Sequence, residues 1–397
     1  MAKRILIYTN HFYPEQFKIN EIVDWLTSED SHIRVITGLP NYPSGKIIKE
    51  YSDTFSKNIL INRLFLIPRG RGSNFLLIIN YLSYFISCLL FTLYIAIFKK
   101  KYDKIFVHHT SPPLIMFHPI LYSVFHKSTK ILWDLDIWPE SLKAIGVVKS
   151  QFSLGLIELI VKWIYSKYKF ILVSSKSMIG VIRDRYNGEI IYFPNWAEKV
   201  IEQNKIIKNY SLTIDENNFN IIYTGNIGKA QNFNNLIKTI ESVNKNIHWI
   251  FVGSGRYKKD FIEKLQNKNL IDRVTFLGQV KIDEIPTIVN KGSALFLSLR
   301  KDEIFSKTVP AKLQTYMALG KPIIGALNGE GAKIIIESNC GVVEENYDYL
   351  ELAKKINNFA NISDSQLATL GKNGKTFYQK NFNSKLRMQQ IQNLIYG

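Results

Sequence analysis

Short runs of consecutive apolar residues recur along the chain, and between most of them the apolar positions space out to every third or fourth residue. Runs at 4–9, 33–37, 59–67, 104–109, 130–134, 170–174 and 190–193 have the continuous hydrophobicity of strands buried on both faces, as in a parallel sheet. Helical spacing follows the first run at 20–28, where Ile22, Val23 and Leu26 share a face, and returns at 153–168 and 176–186. A second series of runs, 220–224, 247–252, 274–277, 294–299, 322–325 and 341–344, alternates with helical stretches at 232–243, 257–266, 283–290 and 312–319. Strand–helix alternation twice over predicts an α/β chain of two doubly wound, Rossmann-like domains. The polar residues 197–217 read as a linker between domains at 1–196 and 218–372. A last helix, 373–397, is long enough to cross back onto the first domain.

One stretch, 306–325 (SKTVPAKLQTYMALGKPIIG), organises the second half. Pro310 suits the first turn of a helix, Gly320 its C-terminal cap, and Lys321-Pro322 blocks continuation. Lys312, Gln314 and Thr315 therefore lie in the first turns of a helix behind a strand, where the helix dipole and free N–H groups favour phosphate.

Residues 75–98 break the pattern with 24 residues free of charge, followed by Lys99-Lys100-Lys101. At ~1.5 Å per residue that length crosses a bilayer. A true span would put the strands before and after it on opposite sides of the membrane. The expected state is instead a helix packed on the sheet with one face dipping into lipid.

Composition sharpens the class. The chain has 397 residues, more than one typical core, and a net charge of +18. That charge favours anionic partners, yet no zinc spacing or aromatic RNP pattern speaks for nucleic acid, so a membrane surface and a diphosphate are the expected ones. Cys88 and Cys340 have neither metal nor disulfide-framework spacing, which reads as a reducing compartment.

Three predicted strands of the second half end in glycine turns: Thr224-Gly225-Asn226-Ile227-Gly228-Lys229, Val252-Gly253-Ser254-Gly255-Arg256 and Phe276-Leu277-Gly278. Each alone is an ordinary turn. Together with Lys229 and Lys312 they form a set that brings backbone N–H groups and two cations to the strand ends, where ligands of such sheets bind.

The series YTGNIGKAQN (223–232), FVGSG (251–255), VTFLG (274–278) and PAKLQTYMALGKPI (310–323) resembles the nucleotide-sugar domain of family 4 glycosyltransferases, whose GT-B fold has two facing Rossmann-like domains with a cleft between them. In the first half, NHFYPE (10–15), GLPNYPSG (38–45), DIWPESL (136–142) and FPNW (193–196) are similar to a bacterial O-antigen and capsule subgroup typified by L-fucosamine (N-acetyl-L-fucosaminyl) transferases. The resemblance implies a UDP-sugar donor, held by Gly225, Asn226, Gly228, Lys229 and Gly253, with the base gripped near Leu277 and Gly278. Lys229 would clamp the diphosphate. Lys312 is the candidate second clamp, with Arg256 and Arg300 as alternatives. The acceptor would meet Tyr13, Glu15, Gln16, Phe17 and Lys18, with Asp136 or Glu140 orienting it.

Two departures stand out. The second glutamate of the family's E-x7-E motif aligns with Thr315, with Gln314 as the neighbour that could replace it; the first aligns with Lys307, although Glu303 could serve. The Gly-Gly usual in the first loop is replaced by Gln16-Phe17. The expected reaction is retaining, metal-independent transfer of an N-acetylated amino or deoxyamino sugar to a lipid-diphosphate-linked acceptor. It would serve O-antigen or capsule synthesis from the cytoplasmic face of the plasma membrane, with no cofactor. The alternative is a membrane-associated sugar-nucleotide-binding protein that has lost turnover.

Other motifs carry less. Asp134-Leu135-Asp136 could hold a divalent ion in a different fold. Tyr165 and Lys169 have the Y-x-x-x-K spacing of short-chain dehydrogenases and epimerases, but no glycine-rich loop follows the first strand. His108 and His109 lack metal-ligand partners at spacing.

Overall fold

The computed structural model of the chain describes residues 3–27, 31–51, 59–70, 74–144, 150–207, 212 and 214–397. They divide into two compact units: residues 1–194 with 388–397, and residues 195–387. The first comprises, in chain order, β1 (Lys3–Thr9), α1 (Lys18–Leu26), β2 (Ser31–Gly38), β3 (Ile59–Leu64), α2 (Asn74–Phe98), β4 (Lys104–His109), α3 (Phe117–Phe125), β5 (Thr129–Asp134), α4 (Glu140–Ala144), α5 (Gln151–Tyr165), β6 (Phe170–Val173), α6 (Lys176–Arg183) and β7 (Glu189–Tyr192). The second comprises α7 (Lys199–Gln203), β8 (Phe219–Thr224), α8 (Phe233–Ser242), β9 (Ile247–Val252), α9 (Lys258–Asn267), β10 (Val274–Gly278), α10 (Ile285–Asn290), β11 (Ala294–Ser298), α11 (Glu303–Lys307), α12 (Ala311–Leu319), β12 (Ile323–Ala326), α13 (Glu330–Glu337), β13 (Gly341–Glu344), α14 (Tyr349–Ala360) and α15 (Asp364–Asn381). The chain then returns to the first unit within α16 (Ser384–Tyr396).

Each unit has one parallel sheet with strand order β3-β2-β1-β4-β5-β6-β7 in the first and β10-β9-β8-β11-β12-β13 in the second. In both, the chain leaves the central strand in opposite directions on either side. That makes a switch point between β1 and β4 and another between β8 and β11, where a crevice opens beyond the strands' carboxyl ends. The central strands explain their own sequences. Residues Ile5 to Thr9 and all six residues of β8 are buried, because helices cover both faces of the sheet. Trp249, Phe251, Phe261 and Phe296 fill the second core and Tyr8, Leu132, Tyr165 and Ile171 the first. Each such side chain contributes about 1.5–3 kcal/mol by burial.

Four features differ from the sequence-based expectation. The last helix, expected as one rod over 373–397, is two: α15 ends at Asn381 and α16 starts at Ser384. Glu202 makes the break, accepting from the Ser384 N–H at 2.9 Å, the Ser384 hydroxyl at 2.6 Å and the Tyr378 hydroxyl at 2.6 Å. The expected linker starts with helix α7 and packs into the second unit, while 208–211 and 213 lie outside the described residues. A helix, α11, occupies the expected loop after β11, started by the Asp302 side chain accepting from Ile304 N at 3.0 Å. Finally, α3 occupies a stretch between two expected strands for which no element was expected.

Helix α2 lies between β3 and β4 in sequence, and both are strands of the same sheet. It therefore does not separate them by a bilayer. It is no core helix either: only 22% of its apolar window is buried.

Candidate functional site

In the second unit the three glycine turns nest against one another at the carboxyl ends of β8, β9 and β10. Gly225 N donates to Val252 O (2.7 Å), Gly253 N to Gly278 O (2.6 Å) and Ile227 N to Ser254 O (2.9 Å). Gly253 has φ +131°, and a Cβ there would stand 2.1 Å from Gly225 O. No other residue fits so close a backbone approach. Leu277 sits at a register shift of the β9–β10 pairing, which sets Gly278 opposite Val252, where its oxygen accepts from Gly253 N.

Lys312 comes up under the first of these turns. It stands one residue into α12, which starts after Pro310 and ends at Gly320 with φ +73°. Pro310 precedes the helix as its N-cap rather than occupying its first turn. The Lys312 Nζ lies 4.0 Å from the centroid of the Tyr223 ring and donates to the Tyr223 hydroxyl. A Cβ on Gly225, where φ is +117°, would approach Lys312 Cε to 2.6 Å. Burial pulls the Lys312 amine down to about pKa 7 and pushes Tyr223 up; Tyr316, which donates to Thr224 O from below, is pushed up to about 12. No carboxylate pairs with Lys312 among the described residues, so its charge is available to an anion.

Lys229 stands at the other side of the turn, exposed, at the start of a one-turn 3-10 segment through Gln231. Arg300 N donates to Ala230 O (2.7 Å) and the Ser298 hydroxyl to Gln231 O (2.8 Å), tying that segment to the end of β11. Asn226, exposed, accepts at its backbone oxygen from the Tyr223 hydroxyl (2.6 Å). Gly228 N donates to Gln231 Oε1 (3.0 Å). Of the alternative clamps, Arg300 is paired with Asp302 at 3.3 Å and Arg256 is exposed. The residues at the altered glutamate motif are placed as follows. Gln314 is 1% exposed, and in its hydrogen-bonding orientation the amide nitrogen donates to Pro310 O (2.9 Å) and Ala311 O (3.1 Å) of its own helix. The Thr315 hydroxyl donates to Ala311 O (3.3 Å). Glu303 opens α11 and pairs with Lys307 at 2.9 Å.

The first unit gathers its own cluster at the carboxyl ends of β1, β2, β4 and β5. All four following loops contain a cis peptide bond before proline, at Tyr13-Pro14, Tyr42-Pro43, Ser111-Pro112 and Trp138-Pro139. Glu15, 3% exposed, holds two loops together. One oxygen accepts from Asn41 N (2.7 Å) and Tyr42 N (2.6 Å), and the other lies 2.7 Å from His11 Nδ1. Arg69 approaches His11 Nε2 at 3.3 Å. Arginine only donates, so Nε2 is the acceptor and the ring proton sits on Nδ1, given to Glu15. Arg69 also donates to Asn41 Oδ1 (3.2 Å) and stacks on Tyr42 (5.1 Å), and no carboxylate pairs with it among the described residues. Phe17 lies flat on His11, ring centres 4.6 Å apart. Tyr13 N donates to Asn20 Oδ1 (3.0 Å), Gln16 is exposed, and Lys18 pairs with Glu21 (2.9 Å).

Asp136 accepts from Trp138 Nε1 (3.2 Å) and from the Ser141 hydroxyl, while Glu140 is held by Arg185 through two contacts of 2.5 and 3.1 Å. Asp134 is fully buried between His109 Nδ1 (2.7 Å) and the Tyr165 hydroxyl (2.5 Å), so one member of the D-x-D and one of the Y-x-x-x-K belong to the core, while Asp136 is half-buried and Lys169 exposed. His11, Arg69, Tyr223 and Tyr316 were not singled out from sequence. Tyr223, Tyr316 and His11 stood inside quoted motifs, but no local pattern pointed to their partners.

Residues 204–377 match the family described as glycosyl transferases group 1. An uncharacterized glycosyltransferase of Methanocaldococcus jannaschii is 26% identical over 48% of this chain, and the match spans about half (53%) of that relative's length. A protein of Escherichia coli K12 provisionally named a colanic acid biosynthesis glycosyl transferase, WcaI, is 23% identical over 80% of this chain and 81% of its own. Among solved structures, Anabaena HepE in complex with UDP and glucose superposes on all of this chain with a TM-score of 0.68 at 15% identity, covering 100% of its own. The fold is that of the GT-B glycosyltransferases, as the motifs implied.

Proposed function

We propose that the chain is a glycosyltransferase of bacterial surface-polysaccharide synthesis, with the donor in the second unit and the acceptor in the first. One observation carries this reading: an unpaired, desolvated Lys312 lies beneath the nested glycine turns of β8, β9 and β10, a cradle shaped for a diphosphate. The UDP complex of HepE and the colanic acid assignment of WcaI support a UDP-sugar donor and a polysaccharide product. In the reaction the bond from the anomeric carbon to the diphosphate breaks and one to the acceptor oxygen forms. Lys312 and Lys229 stabilise the negative charge that grows on the leaving UDP. Attack on the same face of the sugar, with the leaving phosphate taking the acceptor's proton, gives retention and needs no metal.

On the acceptor side, Arg69 is a cation without a carboxylate partner among the described residues, fit for the phosphate of a lipid-diphosphate-linked saccharide. The donor sugar in this reading is an N-acetylated amino or deoxyamino sugar, such as N-acetyl-L-fucosamine, and the product an O-antigen or capsule. The enzyme works peripherally on the cytoplasmic face of the plasma membrane.

A second reading, sugar-nucleotide binding without turnover, is favoured by one fact: the ribose-side glutamate is replaced by Gln314, turned into its own helix, and Thr315. Incubation with a panel of labelled UDP-amino sugars and bacterial lipid extract decides between them. Label appearing in the lipid phase, with or without EDTA, supports transfer; UDP binding with no labelled lipid supports the second reading.

A further inference from the structure

Helix α2 is built inside out for water. Its polar Asn80 and Thr92 are buried, Asn80 donating to Ile67 O (2.6 Å) and Thr92 meeting the Tyr8 hydroxyl (3.1 Å). Ile78, Leu82, Ile86 and Leu90, one turn apart on the opposite side, are about half exposed or more. A helix serving a soluble surface shows the reverse. Two neighbours extend the face. Phe85 of α2 and Trp163 of α5 both pack against Phe117 at the start of α3, with ring centres 6.5 and 6.1 Å away. From there α5 presents Phe152, 83% exposed, with Leu156 and Leu159, and α3 presents Val124, 76% exposed. An apolar surface of this extent marks an interaction site.

All three helices run out at one end of the first sheet, and there they meet a groove of about 470 Å³ lined by Lys101, Lys127, Lys130, Lys167 and Lys169. Its one carboxylate, Asp103, already accepts from Arg4 N (2.9 Å). None of the five lysines forms an ion pair among the described residues. Lys130 donates to the Ser123 hydroxyl, and Lys167 and Lys169 lie over the Trp163 and Phe170 rings. The crowding is felt: burial, and then the charge of Lys167, lowers the Lys130 pKa. Five unpaired cations beside a bare apolar face match one kind of occupant, a bilayer whose headgroups are anionic.

We propose that α2, α3 and α5 lie together in the membrane interface and that the lysine groove takes the phosphate headgroups of acidic phospholipids. This deepens the membrane half of the function proposed above, naming the lipid class and adding two helices that the sequence did not mark as membrane-facing. The full chain is floated with vesicles of phosphatidylcholine alone or mixed with phosphatidylglycerol, without donor or acceptor, so failure of sugar transfer leaves the result readable. Wild type binds the mixed vesicles at least about tenfold more tightly, and less so in high salt. The variant Lys127→Gln/Lys130→Gln/Lys167→Gln loses that preference, while Phe152→Ser/Leu159→Ser weakens binding to both vesicles. Unchanged far-UV circular dichroism and melting temperature show that each variant is folded. Equal binding to the two vesicles, retention of the preference by the lysine variant, or binding only to soluble glycerol phosphate or an oligonucleotide overturns the proposal.

Discussion

Lys312 Nζ sits 4.0 Å from the centre of the Tyr223 ring and donates to its hydroxyl, in a pocket that desolvates the amine to a pKa of about 7. Relative to the ordinary lysine value of 10.5, the folded state disfavours the charge. Between those two values the unfolded chain binds more protons than the folded one, so this group makes ligand-free stability rise with pH across that window and adds no slope below it. A bound diphosphate reverses the preference by pairing with the ammonium. Binding of a UDP-sugar therefore takes up a proton above pH 7, and its Kd rises about tenfold from pH 6 to pH 8. Calorimetry in two buffers of different ionisation heat checks the proton count. In Lys312→Met the pH dependence disappears with the affinity, and the ligand-free protein melts no lower at pH 6.

Gly253 and Gly225 test the cradle differently. Alanine at 253 drives a Cβ to 2.1 Å from a backbone oxygen, which cannot give way, and destabilises the protein by about 3 kcal/mol in urea denaturation. Alanine at 225 meets the Lys312 side chain instead, which can move aside. Its expected effect falls mainly on UDP affinity, with a smaller loss of stability from the positive φ.

Glu15 joins the loops after β1 and β2 through Asn41 N, Tyr42 N and His11. Glu15→Gln keeps the shape but weakens three hydrogen bonds to a buried carboxylate. The expected cost is about 1–3 kcal/mol of stability. Sugar transfer drops while UDP affinity is unchanged, because the change lies in the other unit.

Arg69 separates phosphate recognition from fold. Arg69→Gln raises the KM for a lipid-diphosphate acceptor at least about tenfold, as loss of a charge-assisted contact does. The donor KM stays put, and Arg69→Lys recovers part of the loss. A uniform fall in kcat with both KM values unchanged contradicts this role.

The strands were legible because a parallel strand buried on two faces must be apolar throughout, and β8 and β1 are. The donor cradle was legible for a related reason: only glycine tolerates such close turns, and Gly320 with Pro322 punctuates the helix that carries Lys312. The acceptor-side network was not, because Arg69 and His11 meet across 58 positions and neither has a local pattern. The break between α15 and α16 was equally hidden, being imposed by Glu202 from 182 residues away with no proline or glycine at the joint. For α2 the length and apolarity were plain, but which face is buried depends on Asn80 and Thr92 finding partners on other elements. Helix α3 was obscured by its prolines, since Pro112 and Pro113 just before it and Pro119 in its first turn suit a turn as well as a helix start.

The central claim is that the second unit binds a UDP-sugar diphosphate on Lys312. Titration of UDP into the wild type and into Lys312→Ala, each followed by melting with and without EDTA, tests it most directly. At about 100 times its Kd, UDP adds about 2.7 kcal/mol of stability to the wild type. The account predicts that gain with EDTA present and its loss in the variant. No stabilisation of the wild type by UDP, or an equal gain in Lys312→Ala, contradicts it.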